Sequence, residues 1–368
     1  MAYLQRMQAN VTNSSLFRKR LLKNKGAVFG LVIIMLAILT AIFGYWIAPD
    51  NSPDANRIIP EIANHKPGFS IHLLRLPKPA AQQGGAINTL LNGKEDKYGY
   101  VPVTTYSFTA DSVVVMKYVD EGVTERAAYP TQATVGNLTP ADIIRQTFWL
   151  GTDKFGRDIL SRLIIGTRVS LGVGLITVII SLTIGILLGA LAGYFRGWID
   201  DIIMWLINVI WSIPTLLLVF AVTLLLGKGF WQVFIAVGLT MWVNVARLVR
   251  GQVLAVKELE YVEAARALGY SHTRIVVLHI LPNILGPVMV IAASNFASAI
   301  VIEAGLSFLG VGVQPPQPSW GLMIKENYNF IITNNPMLAL EPGIAIMLLV
   351  LAFNLLGNGL RDALNVKG

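Results

Sequence analysis

The sequence predicts an all-α polytopic membrane protein of six transmembrane helices, with a small α+β extracytoplasmic insert between the first and second. Three observations carry this. The 368 residues are 54% hydrophobic and 14% charged, where a soluble domain has about 25% charged. The charges are also unevenly spread, since residues 49–168 hold 13 basic and 12 acidic side chains, half of the total. The remainder contains apolar runs near the roughly 20 residues that a bilayer core of about 30 Å demands of a helix. A formal charge of +8 would raise the question of a nucleic-acid partner in a soluble chain. Here the excess flanks apolar runs on one side of the membrane, and no nucleic acid is expected. The absence of cysteine excludes thiolate metal sites, disulfides and cysteine nucleophiles.

Residues 1–25 form a tail in which Arg6, Arg18, Lys19, Arg20, Lys23 and Lys25 stand without an acid, which places it in the cytoplasm by the positive-inside rule. The first helix, 26–48, is longer than a signal-peptide core and lacks a small-x-small cleavage site, so it reads as an uncleaved anchor. The insert, 49–148, then falls outside. Tyr100–Phe108 and Ser112–Val119 around the turn Thr109-Ala110-Asp111 read as a β-hairpin. Thr139-Pro140-Ala141-Asp142 reads as a helix start with Thr139 at the N-cap. His65 and His72 are expected to be solvated and to hold no metal. The short glycosylation-type patterns at Asn10, Asn13 and Asn137 carry no weight.

The rest, 149–368, holds spans at about 169–195, 202–226, 230–246, 284–302 and 342–357. Alternation puts Arg196–Asp201, Arg247–Asn283 and the C-terminal tail inside, and Gly227-Lys228-Gly229 and Glu303–Glu341 outside. Arg247, Arg250, Lys257, Arg266 and Arg274 in the 247–283 link agree with an inner location. Gly185, Gly189 and Gly193 make a Gly-x-x-x-Gly-x-x-x-Gly face for close helix packing. Ser212-Ile213-Pro214 and Pro287 are expected to kink their spans. Asn208, Asn244, Asn295 and Asn354 either bond between helices or line a pore. Asp153, Arg157 and Asp158 in the turn Gly151–Asp158 pair among themselves or meet a delivered solute or its carrier. Trp320, in a rigid Pro315–Trp320 loop, suits the membrane interface.

The 247–283 link is the most informative stretch. Glu258–Leu268 is rich in helix formers, Gly269 ends that helix in a left-handed conformation, and Ser271 caps a second short one. Ala264, Ala265 and Ala267 let a partner approach the backbone, while Tyr261 and Leu268 give an apolar stripe beside Glu263. These residues alone describe either a docking knob or an amphipathic loop on the membrane surface.

Glu263-Ala264-Ala265, then Gly269, then Leu281-Pro282 resembles the EAA loop of the membrane subunits of ATP-binding-cassette importers. His279-Ile280-Leu281-Pro282-Asn283 is similar to the version in the peptide and nickel permease branch. So are Leu150–Asp158 and Leu306–Gly321, and the likeness runs from about Phe148 to the C-terminus. It implies a type I importer permease in a bacterial cytoplasmic membrane, with both termini in the cytoplasm and multiple passes through the lipid. Tyr261, Glu263, Ala264, Ala265, Leu268 and Gly269 would dock a cytoplasmic ATPase. A second permease subunit would complete a heterodimeric pore, and an extracytoplasmic solute-binding protein would deliver di- or oligopeptides, with nickel or a metal chelate as the alternative cargo. The insert, from about Asn56 to Thr139, is longer than the family leads one to expect. No Gly-x-x-x-x-Gly-Lys-Ser/Thr phosphate loop is present, so no catalytic residue, cofactor or metal is assigned and the energy source is external. An ion-coupled secondary transporter would instead need ionisable groups in mid-span and an inverted repeat, and the six runs have neither.

Overall fold

The computed structural model describes residues 17–79, 85–109, 111–133, 136–227, 229–332 and 335–364. Arg6, Asn10, Asn13, Ala110 and Lys228 lie outside them. Helices α1 (Lys25–Ile47), α2 (Ala86–Asn92), α3 (Ile159–Phe195), α4 (Gly197–Trp211), α5 (Thr215–Leu226), α6 (Phe230–Lys257), α7 (Glu260–Ala267), α8 (His272–Ile275), α9 (Leu281–Phe308), α10 (Trp320–Asn327) and α11 (Met337–Leu364) follow in order. A π turn, Val276–Ile280, joins α8 to α9. Among the described residues, five helices are long and apolar enough to cross a bilayer: α1, α3, α6, α11 and the continuous run His272–Phe308.

The expected span 202–226 is not one rod. It is split into α4 and α5, which meet at 92°. Pro214 supplies no N–H and biases Ile213 away from the helical region, so the ladder stops at Ser212, whose hydroxyl turns back to the Val209 carbonyl at 2.7 Å. Pro287, in contrast, sits inside an uninterrupted α9, and the irregular turn lies upstream at Val276–Ile280. The helices also overrun the apolar windows: α3 starts at Ile159 rather than 169, α6 continues to Lys257 rather than 246, and α11 starts at Met337. A charged residue ends a hydropathy window but not a helix, because adding a residue to a formed helix costs little.

The described residues form two compact units. The first comprises 17–37, 170–313 and 346–364. In it Ala190, Val245, Val249, Val253, Ile284 and Val288, from α3, α6 and α9, share one core with Val262, Ala265 and Ile275. A second cluster joins Ala192, Ile203, Ile207, Trp242, Val243 and Ala246. On α1, a Cβ at Gly30 would stand 2.4 Å from the Ala352 carbonyl oxygen of α11.

The second unit, 38–169 and 314–345, contains β1 (Phe69–Pro77), β2 (Tyr98–Phe108), β3 (Ser112–Asp120), β4 (Val123–Pro130), the two-residue strands β5 (Gln132–Ala133) and β6 (Gly136–Asn137), and β7 (Ile143–Phe148). Five strands make an antiparallel sheet in the order β4-β3-β2-β1-β7. The expected hairpin is β2–β3, with Phe108 opposite Val113. Side chains alternate across a strand, yet Leu73 and Leu74 are both fully buried. Both faces of β1 are therefore covered. Leu73 packs with Ile59, Ile62, Tyr118 and Phe148, and Leu74 with Val103, Val113, Val115 and Leu138.

Three expectations for this unit need correction. Thr139 does cap a helical turn with Asp142 closing the capping box, but Pro140–Asp142 is a single 3-10 turn running into β7, because pairing of Ile143–Phe148 with β1 outcompetes a longer helix. His65 is half-buried rather than freely solvated: it stacks on Phe69 at 3.7 Å and meets the Tyr118 hydroxyl at 3.1 Å, while His72 lies edge-on to Tyr106. Trp320 is 4% exposed and donates to the Leu163 carbonyl at 3.0 Å. It lies over Gly166 and is a packing residue rather than an interfacial one.

Candidate functional site

The elbow between α6 and α9 belongs to the first unit. Glu260 and Glu263 occupy the first turn of α7 and Arg266 the last, the arrangement the helix dipole favours. Val262 and Ala265, three residues apart and thus on one face, are buried among Val249, Val253, Ile275 and Ile280. The opposite face carries Glu263 and Ala264, exposed like Tyr261 and Leu268, the last at 73%. Ala265, expected on the docking surface, is instead part of the core. It shares the buried face of Val262, and the exposed members of the expected docking set are Tyr261, Glu263, Ala264, Leu268 and Gly269.

Gly269 has φ +77°. Its N–H donates to the Arg266 carbonyl at 2.9 Å and the Tyr270 N–H to that of Ala265 at 3.2 Å, the paired closure of a Schellman motif. A side chain here would cost about 1–2 kcal/mol of left-handed strain. The Ser271 hydroxyl accepts from the Arg274 N–H at 3.4 Å. The second helix is not a separate short one, however. It runs on through the π turn into α9 as His272–Phe308, and Pro282 lies in the first turn of α9 without interrupting it.

Polar ties fix the elbow to its neighbours. Tyr194 Oη meets His272 Nδ1 at 2.9 Å, Lys257 Nζ donates to the Tyr194 carbonyl at 2.6 Å, and Arg196 pairs with Glu258 at 3.0 Å. Arg250 clamps Asp200 with two bonds of 2.5 and 2.6 Å. Tyr270 is flanked by the His279 ring and by the Arg274 guanidinium 4.2 Å above it. Among the expected site residues these stiffening partners have no counterpart. Tyr194 and Asp200 lie in a different stretch of sequence, and no local pattern marks them.

The glycine face of α3 meets α6 directly. A Cβ at Gly185 would fall 2.5 Å from Val245 Cβ, one at Gly189 2.4 Å from the Ala246 carbonyl oxygen, and one at Gly193 2.8 Å from that of Arg250. The four asparagines divide. Asn295, 3% exposed, reaches Ser181 Oγ at 3.5 Å. Asn208 accepts from Arg247 at 3.1 Å, and the Arg247 guanidinium covers Trp211 at 3.5 Å. Trp211 in turn donates to Asn244 at 3.1 Å. Asn244 and Asn354 line a cavity of about 400 Å³ together with Trp211, Thr215, Thr240 and Ser298. Asn354 also borders a second, of about 380 Å³, with Ser294, Asn358 and Arg361.

In the second unit the turn before α3 is held by buried charge. Arg157 donates to Asp153 at 2.6 Å and to Glu326 at 2.7 Å, and Arg162 reaches Glu326 at 3.4 Å. Asp158 does not join the pair. It accepts from the Ser161 N–H at 2.9 Å and from the Ser161 hydroxyl, and burial pushes its carboxyl above the usual range against those two bonds. Glu326 lies 169 residues from Arg157 and gives no signal in sequence. Among the described residues no group of three or more His, Cys, Asp and Glu side chains is placed to hold a metal ion.

Residues 185–367 match the family model of the inner-membrane component of binding-protein-dependent transport systems. Residues 12–67 match that of the N-terminal transmembrane domain of oligopeptide transport permease C. The glutathione transport system permease protein of Pectobacterium atrosepticum is 45% identical over 219 residues, 60% of this chain and 72% of its own length. The chain belongs to this permease family. The dipeptide transport system permease protein of Alkalihalophilus pseudofirmus is 43% identical over the same shares of the two chains. A solved chain of the MetNI methionine ABC transporter, in an inward-facing conformation, superimposes on 56% of the permease and 97% of itself, with a TM-score of 0.47 and 19% identity. The larger family match contains Gly185, Gly189, Gly193, the elbow and all four asparagines. The sheet of the permease, from Phe69 to Phe148, lies between the two matched stretches.

Proposed function

We propose that this permease is the pore-forming subunit of an ATP-binding-cassette importer for di- or oligopeptides. The observation that carries this is an exposed Tyr261–Glu263–Ala264–Leu268 face on a short helix whose other face is locked into the core, within a chain whose relatives are named glutathione and dipeptide permeases. Val262 and Ala265 hand any displacement of α7 to α6 and α9, and the clamps at Arg250–Asp200 and Tyr194–His272 limit its dissipation. Rigidly packed elements of this kind shift as bodies rather than deform. The partners of this reading are a cytoplasmic ATPase on α7, which performs the hydrolysis, a second permease subunit and an extracytoplasmic solute-binding protein.

The topology that goes with it has six spans, the bent pair α4–α5 counting as one. Both termini are cytoplasmic and the sheet is outside. The cavities at Asn244 and Asn354 lie on the path. The test is to replace Glu263 by Lys and Gly269 by Val together, then measure peptide uptake and co-purification of the ATPase. Loss of both with normal membrane insertion is the expected result, and full uptake would sink the docking role.

A further inference from the structure

The short helix α2 of the insert presents an unpartnered apolar face. Ile87 and Leu91, four residues apart and so on one side of the helix, are 76% and 57% exposed. Asn88 and Asn92 mark a neighbouring polar side by bonding to each other at 2.7 Å. A seven-residue helix with Ile87 and Leu91 in water and, of its large apolar side chains, only Leu90 half-buried gains little from that surface. Its position says what covers it. Arg168, in α3, donates to the carbonyls of Leu90 and Leu91 at 3.0 and 2.9 Å and lies over the ring of Tyr45 in the last turn of α1. After α2, a Cβ at Gly93 would stand 2.8 Å from the Tyr45 ring, and the Lys94 N–H bonds to the Asn51 carbonyl at 2.8 Å.

The helix is thus fastened to the last turn of α1 and to Arg168, inside α3, at the level where α1 exposes Phe43, Trp46 and Ile47. Tryptophan at the end of an apolar helix marks the headgroup boundary. We propose that α2 is an interfacial anchor that inserts Ile87 and Leu91 into the lipid at the outer end of α1, continuing the apolar surface of Phe43, Trp46 and Ile47. The proposal rests on reading α1 and α3 as spans. It gives the insert a fixed height above the bilayer, because amphipathic helices settle at the headgroup–acyl boundary. Arg168 carries that constraint to α3.

The chain has no cysteine, so one introduced thiol takes an environment-sensitive fluorophore at a single site. Ile87→Cys, Leu91→Cys, Ile42→Cys on the exposed flank of α1 and Glu125→Cys on β4 are labelled in the full chain in nanodiscs. Each is then quenched by nitroxide-bearing phospholipid and, separately, by aqueous iodide. Labels at 87 and 91 are expected to emit to the blue and to lose intensity to the lipid quencher as the Ile42 label does. Behaviour like the Glu125 label, with loss to iodide, overturns the anchor. Protection from both quenchers that arises only with partner subunits present overturns it in favour of a protein cover. An Ile42 label that iodide quenches would overturn it together with the reading of α1 as a span.

Discussion

Replacing Glu326 by Gln tests the buried charge that holds the turn before α3. Glu326 is about one-tenth exposed and serves both Arg157 at 2.7 Å and Arg162 at 3.4 Å, two guanidinium groups that are themselves 3% and 1% exposed. At an effective dielectric of about 20 the two attractions amount to roughly 6 and 5 kcal/mol before desolvation. Removing one member of such a buried set leaves the others uncompensated and costs about 3–5 kcal/mol net. Asp153 alone would then face both arginines. For a unit of this size each kcal/mol moves the midpoint by about 2–4 °C, so a drop of roughly 10 °C is expected. Thermal unfolding of the detergent-solubilised protein, followed by intrinsic fluorescence, measures it. The double change Glu326→Leu with Arg162→Met removes one charge of each sign and should recover much of the loss. If Glu326→Gln melts within about 1 °C of the parent, against the penalty expected for a broken buried pair, the network contributes nothing and the reasoning fails.

Three other outcomes are expected. Gly189→Leu drives a side chain at the Ala246 carbonyl, 2.4 Å from where its Cβ would sit. Overpacking of this kind costs about 1–3 kcal/mol, visible as a lower melting temperature, while the same change at the open Gly172 should be near neutral. Burial holds His65 below its ordinary pKa of 6.5, so the unfolded chain takes up the proton first. The stability from its neutral form is complete above about pH 6.5 and is lost as pH falls through that value towards the folded pKa. His65→Phe keeps the stack on Phe69 and should flatten the melting profile between pH 7 and pH 5. Val262→Ala leaves the exposed face of α7 intact and opens space beneath it, at a cost of about 1–2 kcal/mol. Uptake assayed beside ATPase co-purification should show binding retained and transport reduced.

The helices were legible because a membrane imposes length and apolarity on each segment separately, and the elbow because Gly269 acts through its own backbone and Ser271 through a hydroxyl that meets an N–H three residues on. What escaped depends on distant partners. Ala264 and Ala265 are the same residue type side by side, and only the packing of α7 decides which one faces inward. Strand β2 is rich enough in β-branched and aromatic residues to be read beside its turn, whereas β1 has Leu73 and Leu74 buried on opposite faces and so shows no alternation. Edge strand β4, exposed along most of its length, carries a polar pattern typical of loops. The bend at Ser212–Pro214 was expected as a kink. Its size was not readable, because proline removes one bond and the neighbouring helices set the angle.

Strands β1 and β7 are neighbours, and Phe69 stands opposite Phe148. The polypeptide therefore departs from the core of its unit and comes back to it at nearly one point, a few ångströms apart across a single strand pair. An excursion of that shape keeps its two roots side by side whatever its length. Residues 70–147 thus form an exchange point, at the cost of the ties of α2 to Tyr45, Asn51 and Arg168. A reporter or binding domain whose termini are equally close should graft there, provided it brings an apolar surface to cover Ile59 and Ile62 in place of Ile71 and Leu73.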